Sequence, residues 1–255
     1  MENKNKKILV GAVTSNRHAK CLDEFSEHVN ALTYPHDIFI VDNTENDEYC
    51  KILKRKGFNV HKYEREAKEH INVTLAKCRD IVRLHALNND YDYLLFLDTD
   101  VIVPKDTIEI LLKHDKDMVG LIYDFYIGGG LKLPSILKSG DFFMTRRKNV
   151  NTFDWDDVEK AKPNLIKTAG TGLGCCLIKR IVLENVPFRR SAIFICGEDV
   201  WFWNEANDKG YESWADSNYR LPHRHVKWNG LDVRPTKKLY FAFGPADATE
   251  AEIVS

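Results

Sequence analysis

The sequence predicts an α/β fold in which a mostly parallel sheet carries helices on both faces. Three observations lead there. Short apolar runs alternate with segments of helical apolar spacing through the first 100 or so residues. The runs are continuously apolar rather than alternating, as expected of strands buried on both sides. A cluster of polar residues closes each of three runs, at 14–17, 42–47 and 98–100, and ligands collect beyond the carboxyl ends of the strands in such sheets.

Each element has its own signature. Ile8 to Val13 is a short apolar run that passes into Thr14, Ser15 and Asn16, a strand entering a polar loop. A helix over about 18–30 follows. Asp37 to Val41 is the second strand, stopped by the turn and cap residues 42–47. Residues 47–56 are then helical and end at Gly57. Phe58 to Tyr63 gives a third strand, and 74–88 a helix with Leu75, Cys78, Ile81, Val82 and Leu84 at apolar spacing. Tyr93 to Leu97 is the fourth strand. Beyond about residue 120 the alternation weakens into a mixed α+β half, with Gly128, Gly129 and Gly130 marking a loop.

Bulk properties bound the function. With 255 residues, 44% hydrophobic and 29% charged, the chain suits one globular domain and no disordered or fibrous class. Its formal net charge of -1 lacks the basic excess of a nucleic-acid binder. No apolar stretch is long enough to span a bilayer, although peripheral contact with a membrane surface stays open. The start of the chain carries no apolar leader-like region, and cysteines at 21, 50, 78, 175, 176 and 196 follow no disulfide or metal-knuckle spacing, so a cytoplasmic setting is expected.

Four Asp-x-Asp pairs occur, at Asp90/Asp92, Asp98/Asp100, Asp115/Asp117 and Asp154/Asp156. Only Asp98/Asp100 directly ends an apolar strand; the others read as solvated carboxylates. On an extended segment residues two apart point the same way, so Asp98 and Asp100 are expected to converge on one ion. Oxygen ligands of this kind suit Mn2+ or Mg2+, which bridges the phosphates of a nucleoside diphosphate and stabilises the charge left on it.

These residues carry a resemblance. Leu94 to Pro104 with Asp98-Thr99-Asp100, together with Ile40 to Asp47, resembles GT-A glycosyltransferases, particularly the inverting family 2. The resemblance implies a GT-A, Rossmann-like nucleotide-diphospho-sugar transferase fold. It also implies that Asp42 recognises a uracil-like base, with an N-cap or Asx-turn as the plain alternative. Cys78-Arg79-Asp80 is similar to the segment whose arginine lies near the donor phosphates, which makes Arg79 a phosphate contact or else a surface residue. Thr14, Ser15 and Arg17 fall where the family surrounds the nucleotide, and Asp98 and Thr99 complete the donor set.

Gly197-Glu198-Asp199 looks like the family's acidic helix start facing the acceptor, with Asp199 the expected base, Glu198 the understudy and a simple N-cap the plain alternative. The glycine-rich segment from Gly170 to Arg180 is similar to the stretch between donor and acceptor sites. His223 and His225, about two dozen residues on, fall where many GT-A enzymes complete the metal shell, with His225 favoured and a polar surface or hydrogen-bonded core role as the plain alternative for either one. Trp201-Phe202-Trp203 replaces the basic residue common after the acidic pair, so acceptor chemistry does not transfer. Trp155, Trp201, Trp203 and Trp214 are sugar-stacking faces or simply core.

The implied layout is one domain over 1–245, divided into a nucleotide-sugar half (about 1–120), an acceptor half (121–228) and a lid (229–245, including Lys237 and Lys238, after Lys227 and Trp228), with a flexible tail at 246–255. The implied activity is metal-dependent transfer from a UDP-sugar, or a GDP-sugar, to a glycan or glycoconjugate. The oligomeric state is not readable. Two rivals stand beside it: a sugar-nucleotide pyrophosphorylase, disfavoured because Gly11 to Arg17 lacks a glycine-rich basic loop, and a non-catalytic carbohydrate- or nucleotide-binding module.

Overall fold

The first strand, β1 (Ile8–Thr14), is buried along its whole length, because layers of side chains cover both of its faces. In a computed structural model of the chain, residues 6–127, 131–138, 153–190 and 197–224 are described. The expectations for Gly128 to Gly130, His225, the lid and the tail lie outside the described residues.

Up to β4 the chain follows the expected alternation. After β1 come a 3-10 turn (Asn16–Cys21), α1 (Leu22–Asn30), β2 (His36–Asp42), α2 (Glu48–Arg55), β3 (Asn59–Lys62), α3 (Ile71–Asn88) and β4 (Tyr93–Leu97). The helix expected over 18–30 is therefore split by its tighter first turn. The helix expected from 74 begins at Ile71, where the His70 side chain accepts the Asn72 N–H. β3, β2, β1 and β4 are parallel neighbours in that order.

The second half completes the sheet with mixed pairing. Its elements are α4 (Thr107–Lys113), β5 (Met118–Ile127), β6 (Leu131–Pro134), β7 (Ile136–Leu137), α5 (Trp155–Ala161), β8 (Leu165–Thr168), β9 (Gly170–Thr171), β10 (Cys175–Lys179), α6 (Arg180–Asn185), α7 (Glu198–Asp208) and β11 (Ser213–Leu221). β10 inserts antiparallel between β4 and β5, β11 lies parallel to β5, and β8 closes the far edge. The order β3-β2-β1-β4-β10-β5-β11-β8 thus keeps β1 to β5 and β11 running one way.

Side-chain alternation divides the core. Ile8, Val10 and Ala12 join Phe25, Leu53 and Ile108 on the α1, α2 and α4 side. Leu9 and Val13 join Cys78, Val82, Phe202 and Trp203 on the α3, α6 and α7 side. Trp203, 1% exposed, is core, which removes it from the sugar-stacking candidates. Trp155 lies under the Arg220 guanidinium, and Trp214 is flanked by Lys116. Among the described residues no helix is long and apolar enough to cross a membrane.

The other Asp-x-Asp pairs find local roles. Asp92 accepts the Lys7 N–H, Asp115 pairs with Lys179, and Asp154 caps α5 in a capping box with Asp157.

Candidate active site

At the mouth of β4 the backbone turns at once. Val101 N–H donates to the Asp98 carbonyl at 3.1 Å, so residues 98–101 form a turn, and the extended geometry expected of Asp98 and Asp100 is corrected. The two carboxylates take different partners as a result. Asp98 Oδ1 lies 3.4 Å from Arg79 Nη2, whereas Asp100 Oδ2 lies 3.3 Å from His223 Nε2 and 3.7 Å from His18 Nδ1. Thr99, between them, is fully buried, and its hydroxyl is 2.9 Å from that of Thr14. Both threonines therefore fasten β1 to β4 beneath the mouth.

His223 arrives from far along the chain by backbone pairing. Val101 and His223 form an antiparallel bridge, Ile102 N–H donates to Pro222 O at 3.0 Å, and Arg224 N–H donates to Asp100 O at 2.6 Å. The ring is oriented in turn by its Nδ1, 2.8 Å from the Asp124 carbonyl. A carbonyl only accepts, so Nδ1 carries the hydrogen and a neutral ring turns its Nε2 lone pair toward the carboxylate. Two acceptors 3.3 Å apart need a proton or a cation between them. Burial lowers the affinity of His223 for that proton, but the hydrogen bond and charge of Asp100 prevail, and the net shift is upward.

This donor set suits a divalent cation. An imidazole whose other nitrogen donates to a backbone carbonyl is the usual arrangement of a metal-binding histidine. Neighbouring ligands of an octahedral ion stand about 3 Å apart at the bond lengths of Mg2+ or Mn2+, and Asp100 Oδ2 and His223 Nε2 are near that spacing. Among the described residues no three His, Cys, Asp or Glu groups form a ready metal cage. Ions that work on phosphates commonly take one or two protein ligands and fill the rest of the shell with phosphate and water.

On the other side of Thr99, a buried guanidinium links the two halves of the chain. Arg79, from α3, donates from Nε to Glu198 Oε1 at 3.1 Å and from Nη2 toward Asp98, while its Nη1 is buried without a hydrogen-bond partner. Glu198 and Asp199 open α7, as expected, but they differ. Glu198 is 6% exposed, and burial, reinforced by the Asp199 charge, raises its pKa against the pull of Arg79. Asp199 is only half-buried and accepts the Val200 N–H at 2.7 Å. It is the more accessible carboxylate of the pair.

The side that the resemblance assigns to the nucleotide is built from the ends of β1 and β2. Asp42 is wholly enclosed, and its Oδ1 accepts from Thr44 N–H (2.9 Å) and Thr44 Oγ1 (2.6 Å), the Asx-turn alternative. Its Oδ2 has no hydrogen-bond partner, with Lys62 Nζ 3.5 Å away. Ser15 is half-buried at the head of the 3-10 turn, and Arg17 is exposed on it. Below the mouth, Tyr123 Oη accepts the Gly174 N–H at 3.1 Å, and a Cβ at Gly172 would lie 2.0 Å from that oxygen. Gly172 and Gly174 let this buried phenol approach the backbone, and Gly170 makes the same room for the Trp203 indole.

Comparison with solved structures now decides the architecture. The mannosyltransferase PcManGT from Pyrobaculum calidifontis, in complex with GDP-Man and Mn2+, superposes with a TM-score of 0.55 over 87% of this chain and 58% of its own, at 15% identity. The chain has the GT-A fold. It thus spans less than two thirds of that mannosyltransferase. S. aureus TarS matches with a TM-score of 0.50, 16% identity, 84% of this chain and 36% of its own. A CMP:2-keto-3-deoxy-manno-octonic acid synthetase complexed with CTP gives 0.50, 11%, 84% and 89%. No family model and no curated protein matches the sequence. In this GT-A sheet the Asp98–Asp100 turn, the end of β2 and the N-terminus of α7 all open at the carboxyl ends of the parallel strands, as the sequence predicts.

Sequence reasoning missed His18, Lys62 and the Asp124 carbonyl. None has a local signal. Each matters because of a neighbour 20 to about 100 residues away in sequence, a proximity that only the fold creates.

Proposed function

We propose that the chain is a metal-dependent glycosyltransferase that moves a sugar from a nucleotide-diphosphate donor to a hydroxyl of a glycan or glycoconjugate. The observation that carries this reading is His223 Nε2 facing Asp100 Oδ2 at 3.3 Å with Nδ1 committed to a carbonyl, at the strand mouth where a GT-A donor belongs. Asp100 and His223 would hold Mn2+ or Mg2+, which when bound neutralises the charge of the departing diphosphate.

The chain's own groups account for the rest. Asp42 Oδ2, buried and lacking a hydrogen bond, is the acceptor for a ring N–H of a uracil-like base. Lys62, beside it, donates to the Thr44 carbonyl and holds that loop in place. Arg79 Nη1 is the one guanidinium nitrogen left for a phosphate oxygen, since Nε and Nη2 are already engaged. Ser15, Arg17 and Asp98 stand around the same mouth, with Thr14 and Thr99 buried beneath it as its support.

Asp199, half-buried at the N-terminus of α7, accepts the proton of the acceptor hydroxyl. The hydroxyl oxygen attacks the anomeric carbon, the bond from that carbon to the diphosphate oxygen breaks, and the nucleoside diphosphate leaves with the electron pair. Attack opposite the leaving group inverts the anomeric centre.

A panel of UDP- and GDP-sugars incubated with Mn2+ tests the reading through slow donor hydrolysis. Release of sugar and nucleoside diphosphate that stops with EDTA is expected. Release of pyrophosphate from a nucleoside triphosphate and a sugar or sugar phosphate would instead mark a nucleotidyl transferase. Binding with no turnover of any donor would mark a non-catalytic module.

A further inference from the structure

Asp100 is faced by a second imidazole that the proposed reaction leaves unused. His18 Nδ1 lies 3.7 Å from the same Oδ2 that His223 approaches at 3.3 Å, and 3.4 Å from Thr99 Oγ1. The side chain is 26% exposed, and the Thr99 hydroxyl meets its Nδ1. A latch places the turn that bears it. The 3-10 turn that bears His18 ends at Cys21, whose buried thiol donates to the Arg224 carbonyl at 3.4 Å. Arg224 in turn donates its N–H to the Asp100 carbonyl. The loop after β1, the turn after β4 and the segment after β11 are thereby joined around one carboxylate oxygen.

We propose that His18 is a third protein ligand, so that two imidazoles and one carboxylate form a cation site that prefers Mn2+ or a similar transition ion over Mg2+ and fills before the nucleotide arrives. The inference rests on the reading of Asp100 and His223 as cation ligands and adds selectivity and order of binding to it. Imidazole nitrogen suits transition ions, whereas Mg2+ favours an all-oxygen shell. A third protein ligand also makes the site less dependent on phosphate oxygens. The three groups do not form a ready cage as they stand, so His18 would have to move inward on binding, its Nδ1 closing from 3.7 Å toward the spacing of adjacent octahedral ligands, about 3 Å, from Asp100 Oδ2. A short surface turn with a ring about a quarter exposed accommodates that shift.

The test is a titration of the nucleotide-free full chain with Mn2+, followed by the electron paramagnetic resonance signal of the free ion. One ion is expected to bind, and a roughly hundred-fold excess of Mg2+ should leave most of it in place. His18→Ala should weaken Mn2+ about ten-fold or more, the loss typical even of a group that merely supports a ligand. His18→Asp should retain binding while narrowing the preference over Mg2+, an effect that a merely structural role for the turn would not produce. Circular dichroism of each variant checks folding.

Mn2+ binding to His18→Ala as to wild type, with Asp100→Ala and His223→Ala both weakened, overturns the inference and leaves the proposed function standing. So does a wild-type chain that binds Mn2+ only after UDP is added, or one that exchanges it freely for Mg2+. Failure of the wild type to bind Mn2+ even with UDP removes both.

Discussion

Asp98 and Asp100 are separated by one residue, yet their charges are balanced in different ways. Asp98 faces a guanidinium that a second, buried carboxylate already shares, and no part of that arrangement needs to leave. Asp100 faces imidazoles, whose protons can be exchanged for a metal ion. The first side behaves as a strut between α3, β4 and α7, and the second as a socket. On the proposed reading, one turn thus separates a group that holds the architecture from a group that exchanges a proton for a cation.

The largest expected effect is on the strut side, at its open end. Asp199→Asn should cost about 10^2 to 10^4-fold in the rate of transfer, the usual contribution of a positioned general base, while UDP and Mn2+ still bind. Initial rates with a donor found in the panel decide it. An unimpaired Asp199→Asn enzyme, or an anomeric product of retained configuration, would remove Asp199 from the base role. Arg79→Met tests the strut itself. Taking one partner from a buried ionic group leaves uncompensated charge, so urea unfolding should show a loss of about 3–5 kcal/mol. Adding Glu198→Gln should recover part of it, because the orphaned carboxylate is then neutral. A loss within the range of an exposed pair, under about 1 kcal/mol, would erase the distinction between the two sides.

Asp100→Asn is the matching change in the socket. Metal-dependent donor hydrolysis is expected to fall about 10^2 to 10^3-fold, as when a preorganised electrostatic contact to the leaving charge is removed. Its loss of fold stability should stay below that of Arg79→Met. If Asp100→Asn instead unfolds the chain as Arg79→Met does, the socket is structural and the comparison fails.

How much of this was readable in the sequence follows the same divide. The parallel half was legible because β1, β2 and β4 are local apolar runs with their own stop signals: Tyr93 to Leu97 ends on Asp98, and β2 ends on Asp42. The antiparallel half was not, because β10 is placed by pairing with β4 some 80 residues earlier, and β11 by pairing with β5 some 95 residues earlier. Alternation predicted a shared direction for Asp98 and Asp100, and a single backbone hydrogen bond, Val101 to Asp98, cancelled it. The paired acids at 198–199 were visible, but not that Arg79 would claim one of them. His18 became visible only through the Cys21 and Arg224 latch.

pH provides the finest separation of the two sides. His223 holds its proton more tightly in the fold than a free imidazole does, because Asp100 outweighs burial. A raised pKa contributes stability that is fully present below the unfolded imidazole value of about 6.5 and is lost as pH rises through the folded value. The metal-free chain should therefore melt at a lower temperature as pH climbs through that window, and His223→Gln should remove this share of the slope. Glu198, also raised, adds a slope of the same sign on the strut side, and that share should persist in His223→Gln. Metal affinity must run the other way, since the cation displaces the proton: below the folded pKa of His223, Mn2+ binding should weaken about ten-fold per pH unit. A chain whose Mn2+ affinity is flat from pH 6 to 8, with a melting slope that survives His223→Gln in full, would show that the imidazole is not the exchangeable partner of Asp100 and that both acids belong to one fixed network.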